Sequence, residues 1–108
     1  MQKHPVTVFG RRLRAAREAA GIPQDKLGVM IGLDEGSSSA RISRYETGIH
    51  QPPFEIAEKL AAVLRVPTAY FYCTSDALSE VLLAISDLDG GELSRLKKSA
   101  ERIRRSRG

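Results

Sequence analysis

Side chains that can contact nucleic-acid bases are concentrated in the segment Ser38–Arg44. An arginine can donate two hydrogen bonds to a guanine, which makes Arg44 the first candidate for a base contact. Arg41 could contact either a base or a phosphate. Earlier in the chain, Gln24 stands at the start of a predicted helix, where the backbone amides and the helix dipole favour an anion. These residues predict binding chemistry directed at a polyanion.

No comparable grouping predicts catalysis or metal binding. His4, His50 and Cys73 do not have the spacing of metal ligands. No nucleophile, base and acid occur together in a recognisable motif, and a glycine-rich phosphate loop is absent from the sequence. We therefore expect a protein that is not an enzyme, with no catalytic residue, no metal and no cofactor.

The composition bounds the class of protein. The chain has 108 residues, of which 42% are hydrophobic, so we expect one folded domain with at most a short extension. The net charge of +4 is compatible with an acidic partner but raises the expectation of nucleic-acid binding only slightly. The single cysteine, with no signal peptide and no apolar run long enough for a membrane, predicts a cytoplasmic protein without membrane association.

Apolar residues recur at helical spacing between glycine and proline breaks, and no segment alternates as a strand does. The fold class is therefore predicted to be all-α. We predict a compact set of five helices followed by a two-helix extension. The five cover approximately residues 8–20, 24–31, 38–46, 54–64 and 69–72.

Several motifs in order make a family resemblance specific. They are Gly21 to Leu27, Ile31-Gly32-Leu33, Ile42 to Gly48, and Pro52. Together they resemble the phage-repressor-type (Cro/C1-type, Xre-like) helix-turn-helix regulators over about two-thirds of the chain. The resemblance implies a lambda-repressor-like DNA-binding domain at 1–74. Its recognition helix, at about 38–45, would enter the major groove of double-stranded DNA.

The sequence departs from the family pattern around the turn. The segment between helices two and three is about four residues longer than usual, through Asp34–Ser37, and is predicted to be a polar loop. Gly28 stands where the family has a small alanine, and Pro23 replaces the usual polar cap. Gly28 and Pro23 are compatible with the fold.

The resemblance implies roles for individual residues. Arg17 and Glu46 correspond to an internal ion pair that orients the recognition helix. The loop after that helix is expected to hold phosphate through backbone amides and side chains. The expected DNA-contacting residues are Gln24, Ser38, Ser39, Ala40, Arg41, Ser43, Arg44, His50 and Gln51.

The extension, 75–108, carries apolar residues spaced three and four apart, which is typical of a helix that packs against another helix. We expect these residues to form a homodimer interface, although they could instead fold back on their own domain. They are Leu78, Leu82, Ile85, Leu93, Leu96, Ala100 and Ile103. The basic stretch Arg95–Arg107 is expected to be a solvated helix face, with contact to DNA as the alternative.

The leading functional prediction is a sequence-specific transcriptional repressor that binds a pseudo-palindromic operator as a dimer. The alternative is an antitoxin-like or other protein-interaction module, in which an unknown protein partner is primary and DNA binding is secondary.

Overall fold

The computed structural model describes residues 6–107, and throughout this range the regular elements are helices, as the sequence predicts. His4 and the rest of Met1–Pro5 lie outside the described residues, as does Gly108. The elements are α1 (Val8–Ala20), α2 (Gln24–Met30), α3 (Glu35–Thr47), α4 (Phe54–Leu64), a short 3-10 helix (Thr68–Tyr72), α5 (Asp76–Ala84) and α6 (Gly90–Ser106).

Helix α1 begins and ends where its sequence signals predict. The hydroxyl of Thr7 accepts a hydrogen bond from the Gly10 amide at 2.9 Å and so caps the first turn. Gly21 ends the helix with φ 69°, a left-handed conformation that glycine adopts without a steric penalty. The fixed ends set the direction in which α1 presents its apolar face.

The core lies between α1, α2, α3, α4 and the 3-10 helix. The rings of Phe9 and Phe71 pack at a tilt of 49° with centroids 4.9 Å apart, which joins the start of the domain to the 3-10 helix. The buried apolar residues are Phe9, Leu13, Ala16, Leu27, Ile31, Ile42, Tyr45, Ala57, Leu60, Ala61, Leu64, Tyr70 and Phe71. This core holds α2 and α3 in a fixed orientation relative to each other.

Helix α1 crosses the end of α3 at very short range. A Cβ atom added to Gly10 would lie 2.8 Å from the carbonyl carbon of Glu46 and 2.9 Å from the carbonyl oxygen of Tyr45. Backbone atoms cannot rotate away as a side chain can. Glycine at position 10 is therefore required for this crossing.

The prediction of a polar loop through Asp34–Ser37 is wrong. Helix α3 begins at Glu35, so the additional residues form one more turn of the recognition helix instead of a longer connection. Serine and glycine have low intrinsic helix propensity, so this segment by itself favours a helix only weakly. The turn is stabilised by packing, because Ser38 is fully buried beside Gly28 of α2. Tertiary contact thus overrides local preference.

Helix α5 is joined to the domain by a buried arginine. Arg12 lies three residues after Phe9 and four before Ala16, on the buried face of α1, and only 10% of its side chain is exposed. Its guanidinium donates to the carbonyl of Cys73 at 2.9 Å and pairs with Asp76 at 2.9 Å. It also lies 5.8 Å from the centre of the Tyr70 ring. Arg12 therefore fixes where α5 starts.

Helix α6 follows a turn after Ala84 and starts with a capping box, in which Asp89 and Glu92 exchange side-chain and backbone hydrogen bonds. No residue of α6 is buried. Ile103 is 65% exposed, and Leu93 and Leu96 are also exposed. The helix is therefore well formed by local signals while its apolar stripe remains uncovered.

Candidate nucleic-acid interface

Helices α2 and α3 form a helix-turn-helix pair, with α3 presenting one face to solvent. Ile42, Tyr45 and Glu46 point into the domain and are buried. Residues three, four and seven apart lie on one side of a helix, which groups the exposed residues opposite them. Those exposed residues are Gly36, Ser37, Ser39, Ala40, Arg41 and Arg44, with Ser43 half-buried beside them, and Glu35 is also exposed at the first position of the helix.

Ser38 does not belong to the exposed face, contrary to the sequence prediction that it contacts DNA. It is fully buried, and its hydroxyl donates to the carbonyl of Asp25. Ser37, which the sequence analysis left out of the contacting set, is exposed instead. Ser38 lies four residues before Ile42 and therefore shares its inward side of the helix, whereas Ser37 lies on the outward side. A helical phase fixed on the buried Ile42 would have identified Ser37.

An ion pair connects α1 with the end of α3, where the family resemblance places one. Arg17 Nε lies 2.5 Å from Glu46 Oε2, and Arg17 Nη2 lies 3.2 Å from Glu46 Oε1. Only 14% of the arginine side chain and 4% of the glutamate side chain are exposed. The hydrogen bond donated to Glu46 raises the pKa of Arg17 above its usual value, against the opposing effect of burial.

Gln24 extends this ion pair toward the exposed face of α3. Its side-chain amide donates to Glu46 Oε1 at 3.0 Å, and its side-chain oxygen accepts from the Ser39 hydroxyl at 3.4 Å. A glutamine amide has two N–H groups, so one remains for an external acceptor. Sequence reasoning did not predict the contact between Gln24 and Glu46. The network joins the start of α2 to the middle of α3.

The loop after α3 caps the C-terminal end of that helix. The amides of Gly48 and His50 both donate to the carbonyl of Arg44, at 3.1 and 3.2 Å. These two amides are therefore engaged within the chain and are not free to hold a phosphate. The side chains of His50 and Gln51 are exposed next to α3 and remain accessible.

Two further features bear on the class of site. Across residues 6–107, no three or more His, Cys, Asp or Glu side chains cluster closely enough to hold a metal ion. No helix in that range has the combination of length and apolar character needed to cross a membrane.

Comparison with known families identifies the domain. A family model described as helix-turn-helix, HTH_3, matches residues 13–71, which include the whole α2–α3 pair. The chain therefore belongs to the Cro/C1-type helix-turn-helix family, whose members are DNA-binding transcriptional regulators.

A solved structure extends this likeness beyond the domain. The chain is similar to the crystal structure of the transcriptional regulator BswR, with 42% sequence identity and a TM-score of 0.83. The match covers 92% of this chain and 98% of that one, so it includes most of the C-terminal helices. A search of curated protein sequences gives no match.

The expected dimer residues differ in exposure. Leu78 is 53% exposed, whereas Leu82 is half-buried and packs against the domain core. Val81, which the sequence analysis did not select, is 48% exposed and lies between Leu78 and Ile85 at helical spacing. Leu78 and Val81 therefore form an outward apolar face of α5, while Leu82 stabilises the attachment of α5 and Ile85, which follows the helix, is half-buried.

Proposed function

We propose that this DNA-binding regulator acts as a transcriptional repressor, with α3 in the major groove of a pseudo-palindromic operator. The observation that carries the proposal is the buried Arg17–Glu46 pair. It fixes the end of α3 against α1 while leaving the opposite face of the helix free for DNA. A fixed helix can hold its side chains at constant distances from base edges, as sequence discrimination requires.

The proposed contacts divide into two groups. Arg44 contacts a guanine, and Arg41 contacts a base or a phosphate, since both guanidinium groups are exposed on α3. Gln24 donates its remaining N–H to a backbone phosphate at the start of α2. The other proposed contacts are Ser37, Ser39, Ala40, Ser43, His50 and Gln51.

We also propose that the functional unit is a homodimer, with 1–74 as the DNA-binding domain and 75–108 as the dimerisation segment. Helices α5 and α6 carry apolar residues that their own chain leaves exposed. Burying one large apolar side chain contributes about 1.5–3 kcal/mol, so a second copy would stabilise the pair substantially. Dimerisation supports a symmetric operator, because each copy supplies one recognition helix.

This function needs no catalytic step. Regulation would follow from occupying DNA, and the proposed place of action is the cytoplasm, where such an operator lies. In-vitro selection of binding sites from random duplexes tests the proposal. We expect an enriched site with two inverted half-sites whose centres are about 34–36 Å apart, or a multiple of this. Enrichment of one unrepeated half-site would contradict the dimer, and no enrichment would contradict sequence-specific binding.

A further inference from the structure

Helix α6 has two stripes with the same spacing. The apolar stripe consists of Leu93, Leu96, Ala100 and Ile103, which are three, four and three residues apart. A second stripe repeats this spacing two residues later along the chain. Two residues correspond to about 200° of helix rotation, so the second stripe lies opposite the first. It consists of Arg95, Lys98, Arg102 and Arg105, and we call it the basic stripe.

We propose that the basic stripe is a second DNA-binding surface, which contacts backbone phosphates without discriminating bases. The inference goes beyond the recognition helix but rests on the proposed function, because it assumes that the chain works on DNA. All four side chains are exposed. Within residues 6–107 the ion pairs are Arg12–Asp76, Arg14–Glu18 and Arg17–Glu46, none of which includes α6.

The charge distribution along the chain supports this assignment. The residues 66–94 contain five acidic and no basic side chains, whereas Arg95–Arg107 contains seven basic side chains and one acid, Glu101. The modest net charge of +4 therefore hides a strongly cationic helix. Such local concentration matters for binding, because a polyanion responds to the local field more than to the net charge.

The dimensions also fit a nucleic acid. Ten residues separate Arg95 from Arg105, which corresponds to about 15 Å along the helix axis. Duplex DNA carries one negative charge for each 1.7 Å or so of its axis, so a straight row of four cations meets a dense array of phosphates. Because the apolar stripe lies on the other side, a dimer formed through that stripe leaves the basic stripe uncovered.

An anionic membrane is the other polyanionic surface that a basic amphipathic helix could bind. Membrane-surface helices bury their apolar face and keep the polar face toward water. The basic stripe would then point away from the lipid headgroups, since it lies opposite the apolar stripe. Lys97 and Arg104, which flank the apolar stripe, would be the better placed for headgroups. The geometry therefore favours DNA for the basic stripe.

A matched pair of double variants of the full chain tests the proposal. Lys98→Gln with Arg102→Gln removes two charges from the basic stripe, and Lys97→Gln with Arg104→Gln removes two from the flank of the apolar stripe. Each pair contains one lysine and one arginine of α6, and each lowers the net charge from +4 to +2. Binding is measured by fluorescence anisotropy across a salt series, on the selected site and on a random duplex. Sedimentation checks that the two double variants have the same oligomeric state as the parent chain.

The two variants should differ in the salt dependence of binding. The slope of log affinity against log salt falls in magnitude by about 0.9 for each phosphate that the protein no longer neutralises, so the Lys98/Arg102 variant should show a decrease of about 1.8. We expect this on both duplexes, with an unchanged ratio between them, and a slope near the parent value for the Lys97/Arg104 variant. An equal decrease in both variants would assign the effect to net charge and overturn the proposal.

Three other outcomes are distinguishable from these. If the Lys98/Arg102 variant keeps the parent slope on DNA but no longer co-sediments with phosphatidylserine vesicles, the stripe binds lipid and the proposal is wrong. If the parent chain binds the two duplexes equally, the proposed sequence-specific function fails while the slope comparison still decides the role of the stripe. If the parent binds neither duplex, both proposals are wrong.

Discussion

Gly28 of α2 and Ser38 of α3 pack against each other where the two helices of the DNA-binding pair come closest. A Cβ added to Gly28 would lie 2.8 Å from the Cβ of Ser38 and 3.0 Å from its Cα. The serine hydroxyl, in turn, donates to the carbonyl of Asp25 in α2. The glycine of α2 and the buried serine in the first turns of α3 therefore depend on each other structurally.

This contact predicts a coupled effect on stability. Gly28→Ala should lower the free energy of unfolding by about 1–3 kcal/mol, because the new methyl group overpacks the helix contact. Adding Ser38→Gly should recover part of this loss by removing the side chain in its way. Urea unfolding of the single and double variants measures the coupling.

Gly36→Ala is the matched control for the same helix. Nothing lies within 4 Å of a Cβ at that position, so alanine should stabilise α3 by about 0.5–1 kcal/mol through its helix preference. Additive effects of Gly28→Ala and Ser38→Gly would show that the two residues are not in contact as described.

The Arg17–Glu46 pair predicts a separation of stability from DNA binding. Arg17→Ala leaves a buried carboxylate with only Gln24 as a side-chain partner and should cost about 3–5 kcal/mol. The double change Arg17→Met with Glu46→Leu removes both charges and should recover most of that stability. Operator affinity should stay reduced, because α3 and Gln24 are no longer fixed. Full recovery of affinity along with stability would contradict a positioning role.

We predict that disrupting the apolar stripe of α6 changes the oligomeric state of the protein. Leu96→Asp with Ile103→Asp would place two carboxylates in the apolar stripe, where burial without a partner is strongly unfavourable. The chain should sediment as a folded monomer at micromolar concentration and bind one half-site weakly. Ser94→Asp adds a carboxylate on the polar side of α6 and should leave a dimer. A parent chain that sediments as a monomer would show that the stripe is not the interface.

The elements with strong end signals were predictable from sequence. Thr7 and Gly21 delimit α1, and helical spacing groups the buried residues of α4, which are Ala57, Leu60, Ala61 and Leu64. The start of α3 was not predictable, because its serines and glycine favour caps and loops when considered locally. The contact of Ser38 with Gly28, on the preceding helix, stabilises that turn. Within the site, the resemblance predicts an ion pair between Arg17 and Glu46, and the structure contains this contact.

Two other features depend on three-dimensional proximity that helical spacing does not encode. Helical spacing places Arg12 on the buried face of α1, but the groups that accept its hydrogen bonds, the Cys73 carbonyl and Asp76, lie more than sixty residues later. Leu82 has the same spacing as the exposed residues of α5 but packs against the core instead. A periodic pattern identifies an apolar face but does not specify whether its own domain or a partner covers it.

The most direct test of base discrimination by α3 is binding-site selection with Arg44→Ala beside Gln24→Ala. Arg44→Ala should lose preference at one or two positions of each half-site, with a cost of about 1–3 kcal/mol on the parent site. Gln24→Ala should weaken binding to all sequences by a similar factor, because its contact is to the DNA backbone. Selection with this variant should therefore still enrich the site that the parent protein selects. If selection with Arg44→Ala enriches the same site as selection with the parent protein, base discrimination by Arg44 is contradicted.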